Sequence, residues 1–335
     1  MTAAPAPEAR KLRWRGLVFA LIAFIVVSAI PVLGFYAPVK AWHVMLTTII
    51  AAYAVIGWIR GGPAMTAVVW LAAALLLLFR SAPAGDAYFW LERGWILLVA
   101  GMFGLAAVLG ADRPFFGRAL LTVLASFGIA LAVLGARAGS FERLQLIVSG
   151  EFVTRNQATL EAFDSGADEI VGAASNSEAV ARSLEQTKER LRLAPQISGM
   201  LAPAFLALQT LAALALGWAM FQRLSRVRIG PALAPLREFR FNDQLVWGLA
   251  VGLTILLLPA FEEAQAIGLN LVVFFAMLYF VRGLGVLAWV TKGGVFIVLA
   301  VLFSLFPPAL GALGLSDTWL DWRSRAKAAG LVTSD

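Results

Sequence analysis

Nine apolar stretches dominate the chain, at residues 17–33, 42–59, 64–79, 95–110, 119–136, 199–221, 245–260, 269–289 and 294–313, and Arg282 is the one Lys, Arg, Asp or Glu within them. A helix rises about 1.5 Å per residue, so roughly 20 such residues cross the ~30 Å hydrocarbon layer of a bilayer. Backbone groups find no water there, and a continuous apolar run satisfies them only as a helix. The period-2 alternation of a membrane β-barrel is absent. The predicted fold is all-α: a polytopic transmembrane helix bundle of roughly eight to ten spans, carrying an extramembrane helical hairpin. Composition agrees, with 61% apolar and 14% charged residues and a mean hydropathy of +0.83. Those values exclude a soluble globule and a disordered chain.

Aromatic residues mark the edges of the runs: Trp14, Tyr36, Trp42, Trp58, Trp90, Trp95, Trp218, Trp247 and Trp289. Amphipathic rings prefer the headgroup level. Basic residues set the orientation. With a cytoplasmic N-terminus, the inner connections hold Arg10, Lys11, Arg13, Arg15, Arg60, Arg113, Arg118, Arg223, Arg226, Arg228, Arg237, Arg240 and Lys292. The outer ones hold Lys40, Arg80 and Arg93. That asymmetry, with a net charge of +7, reads as orientation charge for a multi-pass protein of the bacterial inner membrane. No basic stretch carries the interleaved aromatics of a nucleic-acid face, so the bilayer is the expected partner and nucleic acid is not.

Residues 137–192 differ from the rest, holding seven basic and nine acidic residues. Phe141 to Phe163 predicts one amphipathic helix, a break follows at Gly166 and 172–176, and Ser175 with Glu178 resembles a capping box opening a second helix. Pro195 is expected to end it. The organisation is therefore an N-terminal bundle over 1–136 with about five spans, an extracytoplasmic insert over 137–195, a C-terminal bundle over 196–315 with about four spans, and an interfacial tail over 316–335. Pro307 and Pro308 are placed to break the last run.

Scarce residue types narrow the chemistry. There is no Cys and one His, His43, which removes thiolate, disulfide and multi-His metal chemistry. No nucleotide-binding loop is present; Gly283-Leu284-Gly285 sits in an apolar run with no preceding strand. No enzyme activity, cofactor, catalytic residue or metal site is expected. Polar groups at membrane depth are costly and so become candidates. Arg282 lies seven residues before Trp289, about 10 Å below the interface, and suits an anion or an acidic partner. Asn270 and Gln209 suit a substrate or a neighbouring helix. Trp90 stands among Asp86, Tyr88, Glu92 and Arg93 in an expected outer loop able to close over a ligand. Glu262, Glu263 and Gln265 read as a solvated turn. Small residues at four-residue spacing, Gly128, Ala132 and Ala136 and then Gly248 and Gly252, predict close helix packing.

A longer pattern runs from Pro31 through Asp112-Arg113-Pro114 to Arg237–Leu249, Leu269-Asn270-Leu271, Arg282-Gly283-Leu284-Gly285-Val286 and Gly314–Arg323. On these residues the chain resembles the YybS-like family of bacterial membrane proteins over nearly its whole length. That resemblance implies an architecture distantly similar to the S-components of energy-coupling-factor transporters. Such components bind a small molecule between helices and borrow ATPase and coupling subunits. The functional expectation is a small-solute binding or transport component without its own ATPase. The alternative is a membrane scaffold or assembly factor that docks another protein through the 137–195 hairpin.

Overall fold

The computed structural model describes residues 14–29, 37–79, 87–110, 113–136, 140–173, 177–291 and 294–328. Every regular element among them is helical, as the apolar runs require: α1 (Trp14–Ala29), α2 (Ala41–Leu78), α3 (Ala87–Leu109), α4 (Phe115–Gly135), α5 (Ser140–Ala173), α6 (Ser177–Leu224), α7 (Val246–Leu257), α8 (Gln265–Val290), α9 (Gly294–Ser304), α10 (Pro307–Leu320) and α11 (Trp322–Ala328). Arg10, Lys11, Arg13, Tyr36, Arg80, Asp86, Ser175 and Lys292 lie outside the described residues.

Among those residues, five helices are long and apolar enough to cross a membrane: α2, α3, α4, Arg182–Leu224 of α6, and Pro259–Val290 ending in α8. A sixth counts if α9 and α10, bent by 111° at their junction, form one broken span. Among the described residues the expected eight to ten spans are not found. The described part of α1 has 16 residues and α7 has 12, both short of a crossing. The runs 42–59 and 64–79 share one helix, but it is not straight. Gly62 takes φ 63° and ψ −155° ahead of Pro63, a conformation that glycine reaches without steric cost. A Cβ built on Gly57 would meet Val69 Cγ2 at 3.4 Å, whereas those positions lie about 18 Å apart along a straight helix. The two arms of α2 therefore fold back on each other at Gly62-Pro63.

The chain forms two compact units, residues 1–34, 39–143 and 209–232 in one and 35–38, 144–208 and 233–335 in the other. The first is built from α1 to α4 and the end of α6. Its core is aromatic: Phe103 and Phe115 pack on Trp218, whose ring also meets Phe221 at 5.0 Å. Trp218 is fully buried and its Nε1 donates to the Pro231 carbonyl at 3.0 Å. This corrects its expected place in an interfacial belt, while Trp14, Trp42, Trp90 and Trp247 are exposed as a belt requires. Arg118, expected as an orientation charge on a loop, is buried on α4, stacked 4.4 Å over Trp218, with Nε donating to the Arg113 carbonyl at 2.8 Å. Gly217 lets α6 approach α2, since a Cβ there would lie 2.9 Å from the Thr48 carbonyl oxygen.

The second unit holds the α5–α6 hairpin and α7 to α11. Asn156 Nδ2 donates to the Leu191 carbonyl at 2.8 Å, and Lys188 pairs with Asp164 at 2.7 Å, so the two helices run antiparallel. The helices do not break at Gly166 or end at Pro195: α5 runs to Ala173 and α6 from Ser177 to Leu224, and residues 174–176 of the expected break lie outside the described residues. A glycine costs a helix about 1 kcal/mol relative to alanine, too little to stop one that is held along its length. Pro195 removes one backbone bond from a 48-residue helix, about 72 Å long, whose second half is apolar. α7 and α8 cross through Gly252 and Gly268, where a Cβ on Gly268 would meet the Leu256 nitrogen at 2.8 Å. α8 and α10 cross through Gly283 and Gly314, where a Cβ on Gly314 would lie 2.7 Å from the Gly283 nitrogen. The packing expected of Gly248 and Gly252 is thus present. At Gly128 it is not, because nothing lies within 4 Å of a Cβ built there. Pro307 and Pro308 open α10, the break expected of them.

Candidate functional site

Charged groups in an apolar bundle are costly unless they are paired. Arg282, 1% exposed on α8, directs Nε to Asp317 Oδ2 at 3.0 Å and Nη1 to Asp243 Oδ1 at 2.6 Å. Its guanidinium carbon lies 5.4 Å from the centre of the Phe241 ring. Asp317 is fully buried on α10 and Asp243 is largely exposed in a short turn before α7. Arg323 of α11 joins the same cluster, 3.8 Å from Asp317 Oδ2 and donating twice to the Phe239 carbonyl. Gly285 makes room for this, since a Cβ there would lie 2.7 Å from the Leu236 carbonyl oxygen and 3.3 Å from Arg323 Nη2.

Arg323 also lines an open cleft of about 250 Å³, together with Arg237, Glu238, Arg240, Trp289 and Ser324. Arg237 approaches Glu238 at 3.5 Å, and Arg240 bonds Asp321. Asp321 takes the left-handed conformation, φ 40°, between α10 and α11, a region that Asp tolerates better than most residues. Hydrogen bonds from Ser324 and Arg240 pull its carboxyl down to about 2. The stabilisation that goes with this shift is fully present above the ordinary value near 3.8 and is lost as pH falls through about 2. Burial lowers the Arg323 guanidinium from its ordinary value, against the pull of Asp317.

Asn270, at the start of α8, completes a neighbouring backbone. Its Oδ1 accepts from the Ala204 N–H at 2.9 Å, and its Nδ2 donates to the Met200 and Ala266 carbonyls at 2.8 Å. An unbroken helix would pair Ala204 with Met200 directly. Pro203 sits between them, inside the continuous helix α6. Replacing Asn270 with leucine should lower stability by about 2 kcal/mol, because two backbone groups lose their partner in an apolar setting. The loss is to be read from the thermal midpoint of the purified chain, and Asn270→Gln should not restore it.

Gln209 does similar work in the other unit. Its Nε2 donates to the Val39 carbonyl at 2.9 Å, and its Oε1 accepts the Val39 N–H at 3.0 Å. Nearby, buried Glu92 accepts the Lys40 N–H at 2.7 Å and faces His43 Nδ1 at 2.6 Å. Glu92 and Arg93 are therefore not part of an outer loop. They lie inside α3, both buried, with Arg93 stacked 3.3 Å over Phe89 and bonded to the Leu77 carbonyl. Trp90, two residues away, points outward, 48% exposed and edge-on to Phe89. Glu262 and Glu263 are exposed in a turn, as expected.

Arg282 and Asn270 thus share α8 but stand 12 residues apart, about 18 Å, while Gln209 and Trp90 belong to the other unit. The residues missed from sequence are Asp243, Asp317, Arg237, Arg240 and Arg323. All five stand in the segments that carry the family resemblance, but no local spacing joins positions 243, 282 and 317. Among the described residues no group of three His, Asp or Glu side chains is placed to hold a metal ion.

Comparison with known proteins gives one family. Its model, described as a predicted membrane protein (DUF2232), matches residues 16–318. No curated protein matches the chain. No solved structure matches it either.

Proposed function

The chain belongs to this family of membrane proteins, and from that membership we propose that it is a small-solute binding or transport component. In this reading it resembles an S-component, lacks a catalytic step and an ATPase of its own, and takes its ligand in the arginine-lined cleft. The observation that carries the reading is the cleft itself: three guanidiniums around about 250 Å³ of open space, beside an interfacial tryptophan. Binding sites are concave and place a few polar groups at fixed positions. Arg282, Asn270 and Gln209 spend their hydrogen bonds on the protein, and we assign them to holding the bundle. The arginine-rich stretch 223–240 favours the cytoplasmic leaflet by the positive-inside rule. In the proposed orientation the 137–195 hairpin lies outside the cytoplasm, in a bacterial inner membrane with the N-terminus inside.

A second reading has its own observation. On the α5–α6 hairpin Leu146, Val153, Leu193 and Ile197 are exposed, a surface that lipid or a docked protein would cover. Mild-detergent purification of the full chain followed by mass spectrometry separates the two. A retained small molecule together with ATPase and coupling subunits is expected. A stoichiometric extracytoplasmic protein without any small molecule would replace the first reading with a scaffold. Recovery of neither would overturn the binding reading.

A further inference from the structure

We propose that the cleft formed by Arg237, Arg240 and Arg323 is a phosphate site, taking either a soluble phosphate ester or the headgroup of an anionic phospholipid. The inference rests on the binding reading above and narrows it to a ligand class.

The first observation is an unmet donor. Arg323 is 5% exposed, its Nη1 and Nη2 both donate to the Phe239 carbonyl, and its Nε is buried without an acceptor. A charged donor left without an acceptor in a buried position costs more than a neutral one. The second is convergence. Arg237 comes from the turn Leu236–Glu238, Arg240 from the extended segment after it, and Arg323 from α11, so three arginines from separate stretches of backbone line one space. Each guanidinium carries five N–H groups, and Glu238 and Asp321 occupy few of them.

Charge alone does not define the ligand. Glu238, Asp321, Asp317 and Asp243 balance the four arginines of this region. What the cleft lacks is acceptor oxygens spread in three dimensions. A carboxylate offers two oxygens in one plane and suits a single fork. A phosphate offers a tetrahedral fan, and bidentate Arg–phosphate bonds are among the stronger charge-assisted contacts. Trp289 closes one wall one residue before the end of α8, where an indole sits at the headgroup level. Basic pockets at that level between membrane helices bind phospholipid headgroups.

The test uses the full chain in neutral detergent micelles and follows thermal unfolding with millimolar inorganic phosphate or succinate at matched ionic strength. It is repeated in nanodiscs of phosphatidylcholine with and without phosphatidylglycerol. A midpoint raised by phosphate and not by succinate supports a soluble phosphate ligand. A midpoint raised only by phosphatidylglycerol supports the headgroup. Arg237→Gln combined with Arg240→Gln changes two exposed side chains, so the fold should survive, as the ligand-free midpoint will report. In either supporting case the pair should weaken the response about tenfold. An undiminished response in that variant overturns the site. Equal stabilisation by succinate overturns the phosphate class but leaves solute binding standing. No response to either anion or to phosphatidylglycerol overturns the phosphate site, while the binding reading is then judged by what copurifies.

Discussion

Gly314→Ala should abolish stable folding of the second unit, or cost at least the ~3 kcal/mol at the upper end of overpacking penalties. A Cβ at this position would press into the Tyr279 carbonyl and lie 2.7 Å from the Gly283 nitrogen. These are backbone atoms of another helix, so no side-chain rotation relieves the clash. The reciprocal change, Gly283→Ala, should be as severe, since its Cβ would lie 2.9 Å from the Leu310 carbonyl carbon and 3.1 Å from the Gly314 nitrogen. In lipid the attraction between helices comes from such close packing rather than from exclusion of water, so separating the backbones forfeits the contact along its length. Gly128→Ala is the internal control. Nothing lies within 4 Å of its Cβ, and the substitution should be neutral or gain up to about 1 kcal/mol of helix propensity. Thermal midpoints of the three variants in one detergent test the ordering. Equal effects at 128 and 314 would mean that α8 and α10 do not cross at these glycines.

The same glycines show what was legible before any coordinates. Membrane solvation forces helices, so the fold class follows from nine nearly chargeless runs. Close packing at Gly248 and Gly252 follows from their spacing. The spacing at Gly128 is identical and nothing approaches it, because four-residue periodicity marks a smooth face and does not say whether a partner covers it. The reversal at Gly62-Pro63 was readable as the gap between two runs. The continuity of α5 and α6 was not, because Gly166 and Pro195 are local signals that long-range contacts outweigh. Asn270 was read as suiting a substrate or a neighbouring helix, and it bonds the neighbouring helix. That its target is the backbone flanking Pro203 depends on positions 66 and 70 residues away, beyond any pattern within one run. Arg282 announced a buried partner in the same way without identifying Asp317.

Arg282→Leu should destabilise the chain by about 3–5 kcal/mol, the usual cost of removing one member of a buried ion pair. Asp317 would be left fully buried with its nearest remaining cation, Arg323, 3.8 Å away. Asp317→Leu should cost less, because Arg282 would keep Asp243 at 2.6 Å. The double variant, Arg282→Leu with Asp317→Leu, should be more stable than Arg282→Leu alone, since two apolar side chains replace a desolvated pair. Asp243→Ala should cost less than ~1 kcal/mol, because that carboxylate is mostly in solvent. A double-mutant cycle on thermal or denaturant unfolding measures the coupling between 282 and 317. A cost for Asp243→Ala equal to that for Arg282→Leu would show that the exposed pair, not the buried one, holds α8 to its neighbours. The cycle also bears on function. If Arg282 serves the bundle and the cleft arginines serve a ligand, the folded double variant should keep its phosphate response while Arg237→Gln with Arg240→Gln loses it. If instead the response disappears with Arg282 in a variant that still folds, the ligand reaches beyond the cleft to the buried guanidinium, and the division of labour between the two sets of arginines fails.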